Sequence, residues 1–287
     1  MTGTRRRSGF WWALGALSLL QIGYPLTSGQ ARAALVVATV VLGYLISVSH
    51  ALRTHGWPVA LILVVVTTGG GLAVEVLGVN SGFPFGDYAY SGALGPQLAG
   101  VPVIIPLAWT WMAWPAWLVA GELTTGAAGR VGVAAVALAA WDLFLDPQMV
   151  SQGYWRWAHP DPALPGVPGV PVGNYLGWVL VAGVLMALLT LALRVREPQR
   201  GAEHLRVAKP LRRVDPLPAA LSPGPAPMIA LYLWTYYSSV LAHAVFLKLP
   251  GSAGWGALGM GLVAIPLTVR LLRAGANRPA RPRFRAR

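Results

Sequence analysis

Cysteine is absent from the 287 residues, which removes disulfide frameworks, thiolate metal sites and cysteine nucleophiles together. Charge is scarce as well: 11% of the residues are charged, and nine acidic residues stand against 22 basic ones. An acid inside an apolar stretch is therefore conspicuous. Neither a Gly-x-Ser-x-Gly elbow nor His-Glu-x-x-His spacing occurs, so the local signatures of a serine hydrolase and of a zinc protease are missing. Residue counting alone leaves a serine, histidine and acid arrangement open. No repeat of 20 to 50 residues is evident, although pairs of helices with short loops can hide structural symmetry.

What the chain does have is apolar length. Hydrophobic residues make up 55% and the mean hydropathy is +0.57, and apolar runs recur near the roughly 20 residues a helix needs to cross a bilayer. The fold class predicted is an all-α, polytopic transmembrane helical bundle of about eight spans. The candidate spans are 10–26, 33–52, 57–79, 101–121, 131–146, 174–193, 227–249 and 255–272. The run 10–26, preceded by Arg5, Arg6 and Arg7, also has features of a signal peptide. It exceeds the usual apolar length of one, roughly 7 to 15 residues, and is read as the first span. The fifth run is short, about 24 Å at 1.5 Å per residue, so residues 127–130 are expected to extend it.

Basic residues fix the expected orientation. With a cytoplasmic N-terminus, 19 of the 22 fall inside, and only Arg32, Arg156 and Lys248 fall outside. That bias predicts an even number of spans, both termini in the cytoplasm, and a multi-pass protein of the cell membrane. The formal charge of +13 sits at helix ends and tails, where it meets anionic lipid headgroups, and no basic face interleaved with stacking aromatics suggests nucleic acid as a partner. Residues 1–273 read as one transmembrane domain. Within it, the proline-rich basic stretch 197–225 reads as a cytoplasmic linker, and residues 274–287 read as a basic disordered tail.

In this topology the polar residues of the spans gather at the outer level. Glu75 lies near the end of the third span and Asp87 in the loop that follows it. Asp142 and Asp146 close the fifth span within the stretch WDLFLDPQMVSQGYWRW, residues 141–157. Four residues apart on a helix, they share a face roughly 6 Å apart. Intramembrane acids are costly and mark functional sites, and two neighbouring buried carboxyl groups favour keeping a proton, the condition for a general acid.

Tyr154, Trp155, Trp157, His159 and Asp161 occupy the second outer loop, Asn174 and Tyr175 open the sixth span, and His243 lies in the outer half of the seventh. Phe83, Phe85, Tyr88, Tyr90, Trp109, Trp111, Trp114 and Trp117 supply aromatic faces, which stabilise cations or serve as an interfacial belt. Acid plus aromatic lining suits carbocation chemistry on an apolar alkene.

Two other chemistries fit the same acids. Asp-x3-Asp resembles an aspartate-rich motif that holds magnesium diphosphate, but it lacks a second acidic cluster and has only Arg156 nearby. A proton relay through His243 in a transporter is the other, for which glycines 69–71, Pro102, Pro106 and Pro115 would permit broken helices. His50 and His55 fall at the cytoplasmic end, and His204 in the linker.

The run GVNSGFPFGDYAYSGALGPQLAGVPVIIPLAW, then WDLFLDPQMVSQGYWRW, then GVPVGNYLGW resembles, in order, the integral-membrane carotenoid hydratases of the CruF type. The likeness covers about residues 61–193, with weaker support to 272. It departs in the third motif, where Val167, Pro168 and a second Gly-Val-Pro intervene.

The resemblance implies hydration of the terminal 1,2 double bond of an acyclic ψ-end group on lycopene, γ-carotene or a C50 precursor, with no cofactor and no metal. It implies a carotenoid substrate in the bilayer, and other enzymes of the same pathway as candidate partners. The roles expected on that basis give the proton to Asp146 or Asp142, the water to Asp87, and the supporting network to Glu75 and Asn174. Phe85, Tyr88, Tyr90, Trp109, Tyr154, Trp155, Tyr175 and His243 would complete the substrate site. A carotenoid cyclase, and a transporter or non-catalytic carotenoid-binding protein, are the alternatives.

Overall fold

The computed structural model describes residues 2–203 and 224–276, with side chains described at 9–194 and 224–276. Seven stretches among them are long and apolar enough to cross a membrane: Gly29–His55, Trp57–Ser81, Ile104–Leu123, Ala127–Ser151, Val172–Arg194, Ala226–Phe246 and Pro250–Ala276. They correspond to the second through eighth predicted spans. The first predicted span forms a helix, α1 (Thr2–Gly23), without being one of the seven. It buries Phe10, Leu14 and Leu17, packing on α2 (Gly29–His55) and α9 (Ala226–Leu241).

Three of the remaining spans, the third, fifth and seventh, are interrupted. The third is built of α3 (Trp57–Leu63), a π-turn over Val64–Gly69, and α4 (Gly70–Ser81). The fifth divides into α6 (Ala127–Ala139) and α7 (Asp142–Ser151), separated by a tight turn at Ala140 and Trp141. It does begin at residue 127, as its length required. The sixth, α8 (Val172–Glu203), runs on into the stretch expected to be a linker; residues 204–223 of that linker and 277–287 of the tail lie outside the described residues. The seventh, α9, ends in a π-turn over Ala242–Phe246, and α10 (Pro250–Ala276) begins five residues before its predicted start.

At the centre stands α5 (Ile104–Leu123), every residue of which from 108 to 120 is buried. A helix that is apolar on all sides belongs in the interior, and α2, α6, α8, α9 and α10 surround this one or pack on its neighbours. Trp114 and Trp117 stack there with centroids 5.4 Å apart, and their indole N–H groups donate to His50 Nδ1 (3.1 Å) and Thr190 Oγ1 (3.3 Å). Both are core residues of the opposite end of the bundle, not part of an interfacial belt.

Prolines inside helices leave carbonyls without their usual donor four residues on. Pro115 in α5 frees the Trp111 carbonyl, and Ser47 of α2 donates to it at 2.9 Å. Pro147 in α7 frees the Leu143 carbonyl, and Ser252 of α10 donates to it at 2.7 Å. Each repair fixes one helix against another.

Close approach of helices also needs small residues. A Cβ on Gly43 of α2 would lie 2.6 Å from three atoms of the Trp111 ring. Gly43→Ala is expected to lower stability by about 1–3 kcal/mol, the usual cost of overpacking, read as a lower unfolding temperature of the purified protein in detergent.

Candidate active site

The two aromatic loops meet. β1 (Tyr88–Tyr90) pairs antiparallel with β4 (Trp155–Trp157), placing Tyr88 opposite Trp157, Ala89 opposite Arg156 and Tyr90 opposite Trp155. A second short pair, β2 (Gln97–Leu98) with β3 (Val101–Pro102), holds the rest of the first loop. Because side chains alternate along a strand, the patterns Tyr-Ala-Tyr and Trp-Arg-Trp put four aromatic rings on one face of the ribbon and Ala89 and Arg156 on the exposed face. The opposed rings touch, with centroids 5.6 Å apart for Tyr88 and Trp157 and 5.5 Å for Tyr90 and Trp155. Trp157 Nε1 donates to the Phe85 carbonyl at 2.8 Å, drawing the loop down onto the helices.

Beneath the ribbon lies a cavity of about 520 Å³, lined by Glu75, Asp146 and Asn174 among mostly aromatic and aliphatic side chains. Glu75 is buried on α4 and takes three donors: Tyr88 Oη at 2.6 Å and Tyr90 Oη at 2.7 Å on one oxygen, and Trp109 Nε1 at 3.0 Å on the other. The helix makes room for them. Gly71, Glu75 and Gly78 are spaced along one face of α4, and all three are buried. A Cβ at Gly71 would sit 2.9 Å from the Trp109 ring, and one at Gly78 2.8 Å from Tyr88 Oη. Burial, reinforced by the Glu75 carboxyl group, pushes both tyrosine hydroxyls above the usual phenol range, so they remain donors.

The second acidic centre is on α7. Asp142 occupies its first turn, where a helix N-terminus favours negative charge, and Asp146 follows one turn later. Asn174 of α8 bridges them: its Nδ2 donates to Asp142 Oδ2 at 2.8 Å and also to Asp146 Oδ2. One amide nitrogen thus serves both carboxyl groups. Trp155 Nε1 donates to the other Asp146 oxygen at 3.0 Å, whereas the other Asp142 oxygen is buried without a partner. Asp146 lines the cavity, and Asp142 is fully buried behind it.

Of the residues expected at the site, Glu75, Asp146, Asn174, Phe85, Tyr88, Tyr90, Trp109 and Trp155 line this one cavity. Four others do not. Asp87 is the main displacement from expectation: its side chain is exposed, and the residue joins the ribbon only through its carbonyl, which accepts from Ala158 N at 2.8 Å. The ribbon carries the aromatic rings inward and leaves the preceding aspartate in the loop outside. Tyr154 is buried one position off the ribbon, and its carbonyl accepts from Ser91 N. Tyr175, next to Asn174, lies beside the wall with its hydroxyl unpartnered.

His243 sits one layer back, bonded to Ser252 Oγ at 2.8 Å and Gln148 Oε1 at 3.1 Å. This Ser252–His243 pair is not a catalytic triad: its third member is a glutamine, and the Ser252 hydroxyl donates to the Leu143 carbonyl. Among the described residues there is no group of three or more His, Asp or Glu side chains able to hold a metal ion.

Several lining residues were not anticipated. Trp178 stacks on Trp109 with centroids 4.0 Å apart and planes 12° from parallel. It follows Asn174 by four residues on α8, so helical spacing from Asn174 is the signal that points to it. Gly177 beside it admits the first loop, since a Cβ there would lie 2.6 Å from the Pro84 carbonyl oxygen. Tyr24, Gln148 and Trp141 also line the cavity, and for Tyr24 and Gln148 no sequence pattern marks the role.

An acid pair and a third carboxyl group gathered at an aromatic-lined cavity, inside a bundle of helices long and apolar enough to cross a membrane, define a polytopic membrane protein with a buried acidic site. The chain belongs to the carotenoid biosynthesis protein family, whose pattern matches residues 35–212. All three motifs that carried the hydratase resemblance lie inside that segment. A bisanhydrobacterioruberin hydratase from Haloarcula japonica is 33% identical over 120 residues, which is 40% of this chain and 39% of the archaeal protein. The match thus spans about two fifths of that relative's length. No solved structure matches.

Proposed function

We propose that this protein is a carotenoid hydratase that adds water across the terminal 1,2 double bond of an acyclic ψ-end group, as on lycopene, γ-carotene or a C50 precursor. One observation carries the reading: the bridged pair of carboxyl groups, Asp142 and Asp146, presents Asp146 to an aromatic-lined apolar cavity. In this reading the pair shares one proton, held where the Asn174 amide brings the two carboxyl groups together. The relative's name and the family support the substrate class.

Asp146 delivers the proton to carbon 2 of the end group, the π electrons of the double bond form the new C–H bond, and a tertiary cation is left at carbon 1. Faces of Trp109, Trp155 and Trp178 around the cavity stabilise that cation. Water attacks carbon 1 and returns a proton to the carboxyl pair, giving the tertiary alcohol and restoring the acid. Glu75 keeps Tyr88, Tyr90 and Trp109 fixed, so the lining does not have to reorganise as charge develops.

The deciding experiment is expression in a host that accumulates lycopene, γ-carotene or a C50 ψ-end precursor, followed by mass analysis. A gain of one water is expected. An isomer of unchanged mass would replace hydratase by cyclase, and an unchanged pigment with lycopene, γ-carotene and a C50 ψ-end precursor alike would overturn the assignment. In the same assay Asp87→Asn is expected to retain activity within about twofold, the outcome for a surface change away from the chemistry. A hundredfold loss would return Asp87 to the catalytic set.

A further inference from the structure

Two pairs of residues belong to the cavity wall and to the molecular surface at once. Ile22 and Leu26, at the end of α1 and in the turn after it, are 49% and 70% exposed; Leu241 and Phe246, at the end of α9 and in its π-turn, are 56% and 52% exposed. The cavity is therefore open between these two segments. Its rim is apolar, so it faces hydrocarbon more readily than water. The α9 side of the rim is the π-turn Ala242–Phe246, and such turns concentrate at functional positions. Trp234 Nε1 donates to Gln21 Oε1 at 2.7 Å, tying α9 to α1 at the opening.

Size gives the opening a purpose. About 520 Å³ lies within the range that encloses a drug-sized ligand, roughly 300–1,000 Å³. A C40 polyene is an extended chain of about the same length as the hydrocarbon core is thick, ~30 Å. The cavity takes one end of such a molecule and the rest must lie outside.

We propose that the gap between the end of α1 and the end of α9 is a lateral entrance from the bilayer. The polyene threads one end group through it to the acid pair while the remaining chain stays in lipid. This inference rests on the substrate class proposed above. It places Leu26 and Leu241 as residues that control entry, without a part in the chemistry.

The test narrows the rim and reads both binding and turnover. Lycopene retained by the purified protein is measured by its absorbance per protein, and hydrated product is measured in the lycopene-producing host. The double variant Leu26→Trp/Leu241→Trp is expected to retain and convert at least tenfold less than wild type. Leu262→Trp, at a residue 71% exposed on α10 and away from the rim, is expected to match wild type. Equal retention and conversion by the narrowed variant would overturn the entrance, as would an equal loss in Leu262→Trp. Wild type that retains lycopene through the opening without hydrating it would sink the proposed reaction and leave the entrance standing. No retention and no conversion by wild type would overturn both.

Discussion

Asp146→Asn is expected to lower water addition by about 10²–10⁴-fold, the span that general acid catalysis contributes, while the protein accumulates normally. The amide can still accept from Trp155 Nε1, which now reaches Asp146 Oδ1 at 3.0 Å, so the local packing has a way to persist. What it cannot do is release a proton to an alkene. Asp142→Asn is expected to have a smaller effect in the same direction, because Asp142 is fully buried and acts on the substrate through Asp146. In that variant kcat should fall with KM little changed, the signature of an interaction made in the transition state. The measurement is hydroxylated product per protein, by mass analysis and immunoblot. If Asp142→Asn proves the more damaging of the two, the proton donor is Asp142; if both retain full activity, the acid pair is not the catalyst.

The second large effect is expected at Glu75. Leucine there would leave Tyr88 Oη, Tyr90 Oη and Trp109 Nε1 without their acceptor, and each buried donor left unpaired costs about 1–3 kcal/mol. The ribbon and α5 would then lose their common anchor. Product formation should fall at least a hundredfold, and the unfolding temperature in detergent should drop. Glu75→Gln is expected to fall between wild type and Glu75→Leu. Its amide oxygen can keep Trp109, which cannot accept, and its NH2 can face the two tyrosine hydroxyls, which can rotate to accept. A glutamine variant as damaged as the leucine variant would mean that a carboxyl group at this position takes part in the chemistry itself.

Much of this site was legible before any helix was packed. Asp142 and Asp146 share a face because their spacing is one helical turn, and their presence in an apolar span marks a function. The alternating patterns at 88–90 and 155–157 are those of a strand that puts four rings together, although both lie in stretches expected to be loops. Asp87 was expected at the site because the predicted topology gathers the acids at the outer level, but a strand sends neighbouring residues to opposite sides, and the side chain just before the inward-facing Tyr88 stays in solvent.

Sequence by itself determined the membrane bundle, the start of the fifth span at residue 127, the acid pair and the family to which the chain belongs, because each depends on local spacing, apolar length or a contiguous motif. Tertiary structure alone decided that Asn174 bridges the two aspartates, that Glu75 is held by three aromatic donors, that Ser47 and Ser252 repair the carbonyls freed by Pro115 and Pro147, and that the cavity opens between α1 and α9. Those features join residues from different helices, and nothing in the period of one helix specifies which face of another it will meet.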